Sequence, residues 1–231
     1  MRKLFAVAVS VAIVVTGASV VGAQSGKTVK FKAADLKVEV NATDGDAGLQ
    51  VFLDHEPWRS ISISRPDGAK ILDITTQGVL RDYGLTELFS ESSEPSFDEF
   101  PLEEFKKLFP EGKYTFVGET IDGVRMRSRV PLTHDFPAGP RIRSPRHGST
   151  QSPNAVLVDW DPVRELEIVG YQVVVTKESD NLRVLEADLP NTVTQFRVPP
   201  EFMERGAEFK AEVLAIEASG NQTLTELTFA T

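Results

Sequence analysis

Two neighbouring stretches of alternating residues constrain the fold more than any other feature of this chain. In residues 155–163, apolar side chains stand at every second position and lead to Trp160. Residues 168–176 repeat the pattern and place Tyr171 on the face that carries the following valines. Side chains alternate between the two faces of an extended strand, so each stretch presents one apolar face. Two such strands with a buried tryptophan predict half of a β-sandwich core.

The first 23 residues have the pattern of a secretory signal peptide. Arg2 and Lys3 precede an apolar run over residues 4–15, and small residues follow up to Ala23. This order is typical of an export signal, and it predicts cleavage after Ala23. The alternative is an N-terminal membrane anchor, but the apolar run falls short of the about 20 residues that cross a bilayer.

The composition predicts an exported protein. No later segment is long and apolar enough to insert into a membrane after cleavage, so we expect a periplasmic or extracellular location. The chain has no cysteine, which excludes disulfides, a lipid-bearing thiol and thiol catalysis. Small secreted eukaryotic domains usually rely on disulfides, so their absence favours a bacterial envelope or extracellular protein. Two domains of about 100 residues bury enough surface without them.

The net charge restricts the class of partner. The formal charge is −9, and removal of residues 1–23 with Arg2 and Lys3 makes it −11. An acidic protein repels nucleic acid and anionic lipid, so we expect neither as a partner. Cations, including calcium, are attracted.

Residues 27–137 are predicted to form a first β-rich domain with one or two short helices. Two hairpins are expected, one turning at Arg-Pro-Asp-Gly (residues 65–68) and one at Asp-Gly (residues 122–123). Apolar residues recur at helical spacing within residues 97–110, which predicts a helix there. The stretch 84–95 is expected to be a short helix or a loop.

One turn in this domain carries ligands that suit calcium. Asn41, Asp44 and Asp46 lie in a glycine-containing turn over residues 41–48. Amide and carboxylate oxygens are the ligands that calcium takes, although the spacing is not that of an EF-hand. We therefore predict a weak calcium site at these three residues. The alternative is a solvated β-turn.

Two other motifs in the first domain contain residue types that are found in catalytic sites. His55 and Glu56 resemble the start of a zinc-protease helix, but Arg59 stands where the second histidine is required, and Pro57 breaks the helix. We expect a turn there, with Trp58 half-buried. An acidic run follows further along the chain; its members are Glu87, Glu91, Glu94, Asp98, Glu99, Glu103 and Glu104.

The acidic run admits three interpretations. Paired carboxylates can catalyse glycoside hydrolysis. Apolar residues interleave with the acids, which favours a contact surface or packing under the helix; they are Leu85, Leu88, Phe89 and Phe97. The third interpretation is a solvated face.

The remainder of the chain, residues 138–231, is predicted to be a second domain. Residues 137–148 are rich in proline and arginine and indicate a short, stiff joint whose arginines guard an exposed strand edge. From about residue 140 the chain resembles a fibronectin type III domain, through Val158-Asp-Trp-Asp-Pro162, Gly170-Tyr-Gln-Val-Val-Val175 and residues 209–220. The resemblance implies a two-sheet sandwich. Phe209 stands where that family usually has a tyrosine, so the tyrosine's hydroxyl bond is absent.

The first domain is similar, less specifically, to uncharacterised bacterial exported proteins through residues 41–48 and 84–89. The three histidines (His55, His134 and His147) lie in no catalytic motif, and we predict no catalytic residue and no cofactor other than the possible calcium. We therefore expect a mainly β fold with two β-sandwich-like domains. The expected function is non-enzymatic binding or scaffolding with a protein or glycan partner. The alternative is a secreted carboxylate-based hydrolase with the fibronectin-like domain as an accessory module.

Overall fold

The computed structural model describes residues 28–231, and the predicted signal peptide with its cleavage site lies outside this range. The fold is mainly β. Within residues 28–231, no helix has the length and apolar character needed to cross a bilayer. The strands are β1 (Ala33–Asn41), β2 (Asp46–Ser64), β3 (Lys70–Thr75), β4 (Leu85–Glu91), β5 (Gly112–Thr120), β6 (Arg125–Leu132), β7 (Ile142–Ser144), β8 (Leu157–Trp160), β9 (Ile168–Lys177), β10 (Leu182–Pro190), β11 (Gln195–Arg197), β12 (Glu208–Glu217) and β13 (Gln222–Ala230). The helices are α1 (Leu80–Tyr83), α2 (Leu102–Leu108) and a single 3-10 turn (Pro200–Phe202).

The long strand β2 organises the first half of the chain. Its N-terminal part pairs with β1 and β4, and its C-terminal part pairs with β3 and β5. Strand β6 pairs with β5, and its other edge meets Val29 in a parallel bridge. The sheet thus curls back on itself and encloses an apolar core, in which Trp58 and Phe116 are fully buried. Both predicted hairpins are confirmed, and the predicted helix is present as the shorter α2.

Two local predictions for this half are wrong. Residues 55–59 are not a turn but continue β2, and Trp58 is fully buried instead of half-buried. The pairing of β2 with β4 shifts register between Asp54 and Trp58, which accommodates Pro57, a residue with no donor for a ladder. The stretch 84–95 is neither helix nor loop at its start, because Leu85–Glu91 pairs with β2 as β4.

The second half is a two-sheet sandwich. One sheet has the order β11-β8-β7, and β10-β9-β12-β13 run side by side in the other. Between them lies the core predicted from the alternation, with Trp160 edge-to-face against Tyr171 at 5.4 Å between ring centroids. Phe209 is fully buried and stacks on Phe229, so it packs in the core without the hydroxyl group of a tyrosine.

The two halves share one sheet. Strand β1 pairs in parallel with β13, from Glu39 opposite Gln222 to Asn41 opposite Leu224, and this joins ten strands. The connecting segment runs along the same boundary, because a Cβ on Gly139 would lie 2.7 Å from the Cβ of Ala42. The junction is therefore built from strand pairing as well as from the proline-rich joint that the sequence indicates.

Candidate functional site

A buried asparagine closes the junction between the two halves. The Asn221 side chain is 1% exposed and accepts a hydrogen bond from the Val38 backbone N–H at 2.8 Å. Its amide group donates to the Thr133 carbonyl at 3.0 Å and contacts the Asp135 carbonyl at 3.4 Å. Asn221 comes directly before β13, and its side-chain oxygen accepts the hydrogen bond of Val38, the residue next to the first β1–β13 pair. One residue thus connects β1, the segment after β6, and the turn between β12 and β13.

The outer face of the shared sheet is concave at this junction. One cavity of about 300 Å³ is lined by residues from β4, β2, β1, β13, β12, β9 and β10, strands that would be far apart on a flat sheet. An adjoining cavity of about 580 Å³ shares Lys37, Phe89 and Gln222 with it. We call the two together the seam groove. Its floor on the second half is apolar, because Val174, Leu214 and Leu224 pack there as a small buried cluster.

Three carboxylates meet at one end of the seam groove. Glu39, Glu91 and Glu94 each place a carboxylate oxygen within 4.8 Å of the others, and they are the single such group of three acidic or histidine side chains within residues 28–231. Side-chain amides hold two of them: Gln50 donates to Glu91 at 2.7 Å, and Gln222 donates to Glu39. We call these three residues the carboxylate cluster.

The cluster depends on a glycine and on desolvation. The Glu94 carboxyl lies over Gly48, where an added Cβ would come within 2.5 Å of its Oε1. Burial of the carboxyl, together with the negative charges of Glu91, Asp46 and Glu39, raises the pKa of Glu94 to about 7. Burial also raises the pKa of Glu39, against the hydrogen bond from Gln222. Near neutral pH the Glu94 carboxyl is therefore partly protonated.

Two phenylalanines form an apolar rim of the seam groove. Phe52 on β2 and Phe89 on β4 stand directly opposite each other, and their side chains are 36% and 63% exposed. Both line the larger cavity. An exposed pair of aromatic rings beside amides and carboxylates can bind a flat apolar surface and hydrogen-bond its polar groups at the same time.

The predicted calcium ligands do lie in one turn. The Asn41 Oδ1 accepts hydrogen bonds from the backbone N–H groups of Thr43 and Asp44, at 2.9 and 3.1 Å. Asp46 begins β2, and burial raises its pKa, with the charges of Asp44 and Glu226 adding to the rise. The turn therefore concentrates negative charge that a cation would relieve. Calcium binding at Asn41, Asp44 and Asp46 stays a prediction.

The acidic run divides into separate groups. Glu91 and Glu94 enter the carboxylate cluster, whereas Glu103 and Glu104 form ion pairs with Lys106 and Lys107 along α2. Glu39, the third member, comes from β1, and sequence reasoning missed it. The alternation in β1 does place Glu39 on the outward face, but nothing local indicates which side chains it will meet.

The three histidines occupy unrelated positions. His55 is buried against Phe31, His134 contacts the Phe109 carbonyl at 2.9 Å, and His147 lies beside Thr228. No histidine is a member of the carboxylate cluster.

Comparisons with known proteins yielded matches among solved structures alone, because no family model and no curated protein matches. A two-domain fibronectin type III segment of chicken tenascin is 11% identical, with 85% of this chain and 98% of that one covered and a TM-score of 0.34. Fibronectin(III)-like modules of Clostridium thermocellum CbhA are 10% identical, with 88% and 94% covered and a TM-score of 0.34.

The spore cortex lytic enzyme SleM of Clostridium perfringens is 19% identical, with a TM-score of 0.31. The match covers 42% of this chain and 28% of the enzyme, so this chain spans less than a third of that structure. The similarity is too low to support an argument about activity. The strand order and the core define the fold: three strands packed on four around Trp160 make the second half fibronectin type III-like.

Proposed function

We propose that this protein is an exported, non-enzymatic binding or scaffolding protein that presents its fibronectin type III-like module, through the seam groove, to a protein or glycan partner. The observation that carries the proposal is the continuity of the sheet across β1 and β13. It joins the outer faces of both halves into one concave surface. A surface preformed in this way loses little conformational freedom when a partner binds.

The chemistry of the seam groove supports a partner with both apolar and hydroxyl-bearing faces. Phe52 and Phe89 offer aromatic surface, and Gln50, Gln222 and Glu39 offer donors and acceptors beside it. Sugar rings and extended peptide strands both have this character. Exposed aromatic side chains are the residues that contribute most at binding surfaces.

The test is partner binding by matched variants. The mature chain is screened on an array of glycans and against proteins of the bacterial envelope, and any binder is then titrated. We expect the double substitution Phe52→Ala and Phe89→Ala to weaken binding by about tenfold or more. The control is Phe202→Ala, which removes another exposed phenylalanine from a distant 3-10 turn. Equal binding by the double variant and the control contradicts the assignment of the groove.

The carboxylate cluster favours a second candidate, a secreted carboxylate-based hydrolase with the fibronectin-like domain as an accessory module. Glycosidases use one protonated and one ionised carboxyl group. A pKa of about 7 for Glu94 beside Glu91 fits this pair of roles. Release of reducing ends from a polysaccharide, abolished by Glu94→Gln and by Glu91→Gln, would support the hydrolase over the binding protein.

The same proposal places the protein outside the cytoplasm and gives it no required cofactor. Calcium is the one ion that we propose as a ligand, at Asn41, Asp44 and Asp46. The signal-like residues 1–23 support a periplasmic or extracellular location. N-terminal sequencing of the protein recovered outside the cytoplasm is expected to begin at Gln24. A sequence that begins at Met1 would contradict export by cleavage.

A further inference from the structure

The outer face of β6 carries a row of arginines. Arg125, Arg127 and Arg129 are exposed, and the residues between them point to the core side. Side chains two residues apart on a strand are separated by about 7 Å, so the three guanidinium groups form an evenly spaced line. The sequence shows the arginines at every second position of β6, but the prediction of a hairpin assigns them no function.

A fourth cation extends this row. The backbone of Val29 bonds to β6 at Arg125 and Arg127, with distances of 3.0 and 2.8 Å. Val29 packs on the core side, so the exposed Lys30 belongs to the same outer face as the arginines. We call Lys30, Arg125, Arg127 and Arg129 the arginine strip.

The arginine strip is locally unneutralised. None of its four cations forms an ion pair with any residue of the range 28–231. The acids of the adjoining strands have other partners, because Glu119 pairs with Arg59 and Asp73 pairs with Lys70. In a chain with a net charge of −9, a surface with four free cations is a distinct feature.

The strip borders two shallow grooves with hydroxyl groups. One, of about 390 Å³, is lined by Thr28, Ser60 and Ser62 together with Arg125 and Arg127. The carboxylates of Asp73 and Glu119 also line it, each in an ion pair with a cation outside the strip. The other, of about 430 Å³, lies between Lys30 and Arg129. Charged donors in a line and hydroxyl groups beside them can contact a polymer along its length.

We propose that the arginine strip binds an acidic polysaccharide. A linear polymer with an anionic group on successive sugar rings presents charges in a row, as the strip does. The guanidinium fork forms two parallel hydrogen bonds with a carboxylate or sulfate. The serine and threonine hydroxyls of the grooves are placed to bond sugar hydroxyls between the charged groups.

Two other polyanions fit this face less well. Single-stranded nucleic acid is held by stacking of bases on aromatic side chains. The exposed aromatic residues of the described chain lie on other elements: Phe52, Tyr83, Phe89 and Phe202. Binding to an anionic membrane requires several apolar side chains that insert into it. Among the described residues that line these grooves, Val117 is the one exposed large apolar residue, which is too little apolar surface for insertion. The overall negative charge of the protein is screened beyond about 10 Å at 0.1 M salt, so the strip acts locally.

The experiment uses the mature chain and oligomers of polygalacturonate as the probe. We expect wild type to bind them and not to bind neutral glucan oligomers of the same length. Binding is expected to weaken by several-fold when salt rises from about 50 to about 200 mM, because counterions compete for the strip. The triple variant Arg125→Gln, Arg127→Gln and Arg129→Gln should bind at least about tenfold more weakly, since it loses three charge-assisted contacts with the polymer.

A charge-matched control separates the strip from net charge. Arg81, Arg164 and Arg205 are exposed and distant in sequence, and their change to glutamine removes the same three charges. We expect this control, and the Phe52→Ala and Phe89→Ala variant of the seam groove, to bind the polyuronate within about twofold of wild type. Arg129 also lines the larger cavity of the seam groove. The double variant Arg125→Gln and Arg127→Gln, which leaves Arg129 in place, therefore tests the strip independently of the proposed function.

Three results would overturn the proposal. They are no binding of polygalacturonate by wild type, an equal loss in the strip variant and in its control, and tighter binding of single-stranded DNA or anionic vesicles than of the polysaccharide. Far-UV circular dichroism and melting of each variant establish that it is folded, so that a loss of binding can be assigned to the strip.

Discussion

Removal of the Asn221 side chain tests the junction between the two halves. In the variant Asn221→Ala, the Val38 N–H loses its acceptor in a buried site, and the Thr133 carbonyl loses its donor in a partly buried one. An unsatisfied buried polar group costs about 1–3 kcal/mol, so the two groups together cost at most about 6 kcal/mol. We expect a loss of about 3–4 kcal/mol in the free energy of unfolding. This is a large share of the total stability, which is about 5–15 kcal/mol for a typical protein.

The assay is denaturant unfolding followed by tryptophan fluorescence. Trp58 is buried in the first half and Trp160 in the second, and the chain has no other tryptophan. Variants Trp58→Phe and Trp160→Phe therefore report each half separately. With the shared sheet intact, we expect the two halves to unfold in one transition. Asn221→Ala should lower the midpoint and separate the two reporters.

The control is Asn154→Ala, which changes an exposed asparagine in a loop. A surface change of this kind alters stability by less than about 0.5 kcal/mol. The reasoning is refuted if Asn221→Ala loses less than about 1 kcal/mol, or if the two tryptophans already report different midpoints in the parent chain.

Three further predictions concern the carboxylate cluster, the second core and the calcium turn. Folding raises the pKa of the Glu94 carboxyl from 4.5 to about 7, so the folded protein holds this proton more tightly and stability should fall as pH rises between these values. Melting temperatures measured from about pH 5 to about pH 8 should fall less in Glu94→Gln than in wild type. The control is Glu201→Gln, which changes an exposed glutamate. Trp160→Ala should destabilise the whole mature chain by about 3–5 kcal/mol in chemical denaturation, since it deletes a buried ring, and a loss below about 1 kcal/mol would be inconsistent with the core as described. Free calcium at about 1 mM should raise the melting temperature by a few degrees, equivalent to about 1.4 kcal/mol for a weak site, and magnesium should raise it less. The double variant Asp44→Ala and Asp46→Ala should abolish the calcium effect, and an identical melting temperature in EDTA and in calcium would mean that the turn holds no ion.

Local patterns predict the second half well. The alternation that leads to Trp160 places that side chain between the sheets, and the strand that contains Tyr171 packs against it. The hairpin at Asp122-Gly123 likewise forms where its turn residues predict it. The alternation of side chains along a strand and the residue preferences of turns both depend on a few neighbouring residues. They can therefore be predicted from the sequence without the tertiary structure.

The first half shows where local patterns fail. Residues 85–91 have acids among apolar residues and were expected as helix or loop, yet they pair with β2. A free edge of β2 and burial of Leu88 against the core decide the outcome there, because strand propensity depends on the neighbours a strand finds. Trp58 is fully buried for the same reason, as its strand continues past Pro57 instead of turning.

The sequence by itself determined two β-rich halves, the core around Trp160, the outward direction of Glu39 and the alternating arginines of β6. Tertiary structure alone decided the pairing of β1 with β13, and with it the seam groove and the meeting of Glu39 with Glu91 and Glu94. Glu39 and Gln222 are separated by 183 positions in the chain. Alternation states which face a residue occupies but not which strand lies beside it, because an edge strand offers its backbone groups to any partner that the folded halves bring into register.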